Sequence, residues 1–172
     1  MLWRCMGLLL VCLLAPYSTA DAQTWTKRSY PNEGFEIEFS GIVKVTPAVI
    51  PEESKDRVVF RTSYLQDGGK YAYSVTVQLQ NVNVNFYPAV NAAYAKTECK
   101  VLVVDTALDF QGGQAHEFRG KDCRSGFRID MRFYTVGKWF YTVQAVYKDE
   151  VAAEAAGRRF VESFNHTSWN KP

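Results

Sequence analysis

Apolar and polar residues alternate with a period of two in several stretches of the chain, the pattern of a strand with one buried and one wet face. Phe35, Ile37 and Phe39 alternate with Glu36 and Glu38 and predict a short strand. The run from Arg57 to Leu65, the turn residues Asp67-Gly68-Gly69, and the run from Lys70 to Gln80 together predict a β-hairpin. Its second arm sets Tyr71, Tyr73, Val75, Val77 and Leu79 against Ala72, Ser74, Thr76 and Gln78. A second hairpin spans Gly126 to Tyr147: Phe127, Ile129, Met131 and Phe133 alternate with Arg128, Asp130, Arg132 and Tyr134. After Val136-Gly137-Lys138 the chain returns with Trp139, Tyr141, Val143 and Ala145.

Two segments change period. Pro88 suits the first turn of a helix, and Val90, Ala93, Tyr94 and Thr97 share a helical face, predicting a helix over 88–99. Asp149 can cap a second helix whose apolar face is Ala153, Ala156, Phe160 and Phe164, with Glu154, Arg158 and Glu162 as an i,i+4 charge row on the wet side. Between the helices, Lys100 to Asp105 is apolar and β-branched, Phe110-Gln111-Gly112-Gly113 is turn-like, and Gln114 to Lys121 reads as a further strand. The chain closes on a polar tail from His166 to Pro172. The order and the short connections predict an α+β fold, an antiparallel β-sheet flanked by helices, in a single domain over 23–165.

The N-terminus adds a compartment. Arg4, the apolar run Met6 to Ala15, and the small residues around Ala20 and Ala22 have the charged, apolar, cleavable order of a secretory signal over residues 1–22, with the cut between Ala22 and Gln23. The apolar run is about half the roughly 20 residues a membrane-spanning helix requires, so no stable transmembrane segment is expected after processing. Cys12 admits a lipidation reading, but Val11 before it is bulkier than such processing favours. The expected location is outside the cytoplasm, periplasmic or secreted.

The mature chain keeps the formal charge of +2, because Arg4 and Asp21 cancel. That is too small to imply a nucleic-acid partner. Cys99 and Cys123 survive processing and meet an oxidising compartment, so a disulfide is expected, worth about 3 to 4 kcal/mol by loop closure. The rival reading, a redox or metal pair, lacks Cys-x-x-Cys spacing and a histidine cluster.

Gly34-Phe35-Glu36-Ile37-Glu38-Phe39 after Trp25 and Tyr30, the aromatic hairpin around Gly137, and Arg159-Phe160-Val161-Glu162-Ser163-Phe164 carry a resemblance. Together they resemble the small exported bacterial proteins related to the PsbP family, the extrinsic photosystem II subunit. The resemblance implies an α-β-α sandwich in which Arg159, Phe160 and Phe164 belong to a packing element. It carries over no functional residue, and fold analogy licenses no photosynthetic role.

The sequence contains no catalytic motif. Its two histidines, His116 and His166, make no zinc set, and Ser125 and Ser163 sit in no nucleophile elbow. Glu36 with Glu38 and Glu52 with Glu53 form no directed catalytic pair, and Asp105, Asp109 and Asp122 match no calcium loop. No metal site and no cofactor is expected. The most suggestive cluster is basic: Arg119, Lys121, Arg124, Arg128 and Arg132. Arg128, Arg132 and Tyr134 should share one strand face that could grip a carboxylate, a phosphate or an acidic partner. The alternative for this face is a solvated edge relieved by Glu117, Asp122 and Asp130. The segment Asn81 to Tyr87 could rim a polar pocket or simply end a strand. The leading expectation is a non-catalytic envelope protein that binds an envelope protein or a small anionic ligand. The alternative is an envelope hydrolase using loop carboxylates and His116.

Overall fold

The computed structural model describes residues 24–110, 112–148 and 150–167. The leader, the cleavage site at Ala22 and Gln23, Cys12, Asp149 and the tail beyond Thr167 lie outside the described residues. The elements run β1 (Thr26–Tyr30), β2 (Phe35–Phe39), β3 (Lys44–Pro47), β4 (Val58–Asp67), β5 (Tyr71–Gln80), α1 (Phe86–Ala95), β6 (Val101–Leu108) and β7 (Gln114–Lys121). They continue with β8 (Arg128–Val136), β9 (Trp139–Tyr147), α2 (Val151–Glu162) and β10 (Asn165–His166). Seven strands form one antiparallel sheet in the order β3-β4-β5-β9-β8-β7-β6, and β1-β2-β10 form a second, three-stranded sheet. The α+β class is as expected.

Both hairpins form. In the first, the Gly69 amide donates to the Asp67 side chain (2.8 Å) and Gly69 adopts φ +76°, a conformation glycine tolerates without steric cost. In the second, Arg128 stands opposite Tyr147 and Val136 opposite Trp139. The partnership of β5 with β9, Tyr71 opposite Tyr147 through Leu79 opposite Trp139, joins the hairpins into one sheet.

Alternation then sends residues to two different environments. Tyr73, Val75 and Val77 of β5 and Tyr141, Val143, Ala145 and Tyr147 of β9 point to one face, where they meet Phe35, Ile37 and Phe39 of β2 and Phe160 and Val161 of α2. Most of these side chains are fully buried. Phe160 lies between Phe39 and Tyr73, with ring centroids at 5.2 and 4.9 Å. Gly157 lets α2 approach β9: a Cβ there would lie 2.6 Å from the Tyr147 ring. The opposite face carries a smaller cluster, Phe86 and Val90 of α1 on Phe118, Ile129, Met131, Phe133 and Phe140.

Several expectations need correction. The first helix covers Phe86–Ala95 rather than 88–99. Glu98 takes φ +53° and Cys99 is bonded to Cys123, so the chain leaves the helix before that bridge. His166 does not begin a polar tail. It is 3 % exposed in β10, opposite Phe35, because its imidazole meets the Tyr141 hydroxyl at 3.1 Å and the following amide of Thr167 donates to the Gly34 carbonyl. Glu36 and Glu38 are half-buried rather than wet, since Lys27 pairs with the first and Arg159 with the second. The residue ahead of α2 is Glu150, whose side chain makes no cap bond.

Candidate functional site: a polar-floored groove beside α1

The sequence-selected basic face comes together and is then covered. Arg128, Arg132 and Tyr134 share the face of β8 that looks at α2. Arg128 bonds Glu154 of α2 at 2.5 Å, and Arg132 bonds Glu117 at 2.8 Å and Glu162 of α2 at 3.4 Å. Tyr134 is 5 % exposed and stacks on Phe164 at 4.5 Å. The acidic row of α2, read from sequence as a wet face, is the counterpart of these arginines. Neither an open anion grip nor a solvated edge describes the result. Asp130 is buried and accepts from the Tyr147 hydroxyl at 2.9 Å, and Asp122 pairs with Lys100. Burial by itself would raise the Glu117 carboxyl, but hydrogen bonds from Arg119 and Arg132 outweigh it and hold the group below the ordinary carboxylate range. Burial raises Asp130, partly offset by the Tyr147 hydrogen bond.

Other sequence-selected residues disperse. His116 meets the Asp105 carboxylate at 2.5 Å across β6 and β7, and lines neither of the two cavities described here. The Ser163 hydroxyl donates to the Phe160 carbonyl and accepts from the Glu38 amide, an end for α2 rather than a nucleophile. Among the described residues no group of three or more His, Cys, Asp or Glu is placed to hold a metal ion. Cys99 and Cys123 are joined, tying the segment between α1 and β6 to the β7–β8 connection. Gly120 leaves room for the bridge, because a Cβ there would lie 2.5 Å from the Cys99 sulfur.

A sizeable concavity lies on the other face of the sheet. α1 covers the β7–β8 side of that face, and between α1 and the turn Glu52–Ser54 runs a groove of about 840 Å³. Its floor follows from the alternation that fills the core opposite: Thr76 and Gln78 of β5 and Thr142 and Gln144 of β9 are the residues left over when Val75, Val77, Tyr141 and Val143 point inward. These four floor side chains are half-buried. Ala89, Ala92 and Ala93 of α1 form one wall, above Ile129, Met131 and Phe140. Pro51, Ser54 and Arg57 form the other. The charged lining residues are Arg57, Arg61, Lys96 and Arg124 against Glu53, four cations to one carboxylate.

The segment Asn81 to Tyr87 does reach this rim through Val84 and Asn85, while Asn81 instead donates to the Asp56 carbonyl at 2.6 Å and pins the start of β4 to the end of β5. Sequence reasoning missed the floor. Its signal was present in the hydroxyl and amide side chains at alternate positions of β5 and β9, which the hydrophobic pattern assigns to solvent. A second concavity of about 240 Å³ lies between Tyr71 and the first turn of α2.

No protein-family model and no curated protein sequence matches the chain. The fold does match a solved structure: cyanobacterial PsbP (CyanoP) from Synechocystis sp. PCC 6803, solved in solution, superposes with a TM-score of 0.52 at 12 % identity, over 89 % of this chain and 98 % of that one. The chain has a PsbP-like fold. At this identity the likeness concerns the backbone alone and transfers no ligand or partner.

Proposed function

We propose that this PsbP-like chain is an exported, non-catalytic binding protein of the bacterial cell envelope, and that the groove beside α1 is its binding surface. One observation carries the reading: a concavity of about 840 Å³ with a hydrogen-bonding floor on β5 and β9 lies beside α1, while the arginine face of β8 is engaged by α2. That volume falls within the range of small-molecule sites, roughly 300 to 1,000 Å³. Export is supported by the charged, apolar and small-residue order of residues 1–22, and by Cys99 and Cys123 as a bonded pair.

The test is native mass spectrometry of the protein purified gently from the envelope of cells expressing the full chain. The expected species begins at Gln23, is two hydrogens light, and carries a ligand that the variant Ala92→Trp loses. A full-length chain in the cytoplasm overturns export, a diacylated species starting at Cys12 replaces cleavage at Ala22, and a ligand unaffected by Ala92→Trp overturns the groove. The contact of His116 with Asp105 favours the envelope hydrolase as a second reading. It requires a hydrolytic turnover that His116→Ala abolishes.

A further inference from the structure

The groove changes character along the strand order, and that change defines what fits it. On the β4 side stands Arg61, opposite Gln78 of β5. Thr142 and Gln144 follow on β9, and Ile129 and Met131 on β8 lie beneath Ala93 of α1. The β4 side carries Arg57 and Arg61; toward α1 the floor and wall are apolar in Ile129, Met131 and Ala93, with the cations Lys96 and Arg124 where α1 and β7 end.

Arg61 itself is incomplete. One of its terminal nitrogens, Nη1, donates to the Val49 carbonyl at 2.8 Å, which fixes the guanidinium. Its Nε is buried without an acceptor among the described residues. That leaves a desolvation cost on the guanidinium which a negative charge at its open, groove-facing side would offset. An oxyanion, acceptor-only and able to take two guanidinium hydrogens at once, matches such a donor better than a neutral carbonyl. The surrounding charge agrees in sign, with Arg57 beside this end of the groove and Glu53 the one carboxylate in the described lining. Asp56 pairs with Arg57 at 3.7 Å in an exposed contact, and the Arg57 side chain remains more than half exposed.

We propose that the groove takes an amphipathic oxyanion, its carboxylate or phosphate head on Arg61 and its apolar body against α1. The inference rests on the groove being the binding surface and assigns the chemistry and the polarity of what lies in it.

The test is titration calorimetry of the purified, disulfide-bonded protein with four probes below their micellar concentrations: decanoate, decyl phosphate, decanol and inorganic phosphate. One or both of the two amphipathic anions should bind at least about tenfold more tightly than decanol, and Arg61→Gln should remove about tenfold from the anions while leaving decanol unchanged. Arg61→Lys, which keeps the charge and loses the fork, should fall between. Which head binds more tightly separates a carboxylate ligand from a phosphate one. Equal binding of decanol and the anions, or anion binding indifferent to Arg61→Gln in a variant with the wild-type circular dichroism spectrum, overturns the anchor. Inorganic phosphate binding as tightly as decyl phosphate overturns the amphipathic body, and no binding by any probe overturns the inference whole. Failure of the groove itself looks different: Ala92→Trp would then leave probe binding, or the co-purifying ligand, unchanged.

Discussion

The two faces of the seven-stranded sheet are made by alternate residues of the same strands, yet they end in opposite conditions. On the α2 face, Val75, Val77, Tyr141 and Val143 are fully buried, and the charges that fall there are matched by α2 or by neighbouring strands. On the α1 face, a ten-residue helix covers only the β7–β8 side and leaves Thr76, Gln78, Thr142 and Gln144 half-exposed. The first face accounts for cohesion. The second packs its own cluster under α1 and has surface to offer beyond it, because Thr76, Gln78, Thr142 and Gln144 lie outside both buried clusters. Division of labour across one sheet costs little when every second residue of a strand is free to differ.

Substitutions can sharpen or break this contrast. The largest effect is expected at Phe160, fully buried between Phe39 and Tyr73: Phe160→Ala should lose about 3 to 5 kcal/mol in urea unfolding. Next comes Glu117, whose side chain is 6 % exposed and joined to Arg119 and Arg132. Glu117→Gln should cost about 3 kcal/mol, because two arginines are left facing a neutral amide in a poorly hydrated place. A loss below about 1 kcal/mol would show that face to be wetter than its exposure says. Opening the bridge with Cys99→Ser and Cys123→Ser should cost about 2 to 4 kcal/mol, read as a lowered melting temperature that reductant no longer shifts.

A smaller effect is expected from acid. Burial holds the His166 imidazole neutral, with a pKa below its ordinary 6.5. The unfolded chain therefore takes up the proton first as pH falls. This contribution to stability is complete above the ordinary histidine value and is lost as the pH drops from there through the folded-state value, with a slope of up to about 1.4 kcal/mol per pH unit. Unfolding curves between pH 7.5 and 5 should show that slope, and His166→Gln should flatten it. Least of all, Gln144→Leu on the groove floor should change stability by no more than about 0.5 kcal/mol while altering ligand binding. A large loss there would erase the distinction between the faces.

What could be seen in advance follows the same division. The hairpins, α2 and the aromatic positions of β2 were legible because hydrophobic periodicity reports burial directly. β1 and β3 were not. Thr26–Tyr30 and Lys44–Pro47 are largely exposed edge strands with no alternating apolar face, and their pairing comes from the neighbour, not from their own composition. The bridge between Cys99 and Cys123 was legible from the expected compartment and the count of cysteines. The arginines of β8 were found but their setting was misread, since strand and helix periodicity each label a charged row as wet. Only packing reveals that the two rows face one another. The groove was invisible for a related reason: Thr76, Gln78, Thr142 and Gln144 look the same in sequence whether they line a concavity or an open sheet.

Gly157 carries a lesson for anyone scanning this chain by saturation mutagenesis. Any side chain there would drive into the Tyr147 ring, which is 1 % exposed and tethered through its hydroxyl to Asp130, so the ring has nowhere to turn. Even alanine should overpack the contact and cost roughly 1 to 3 kcal/mol. The position would score as intolerant as an active-site residue, while Gln144 on the groove floor would tolerate almost everything in a survival assay. In this protein, intolerance maps the spacer between a helix and a strand, and the working surface would be found among the permissive positions.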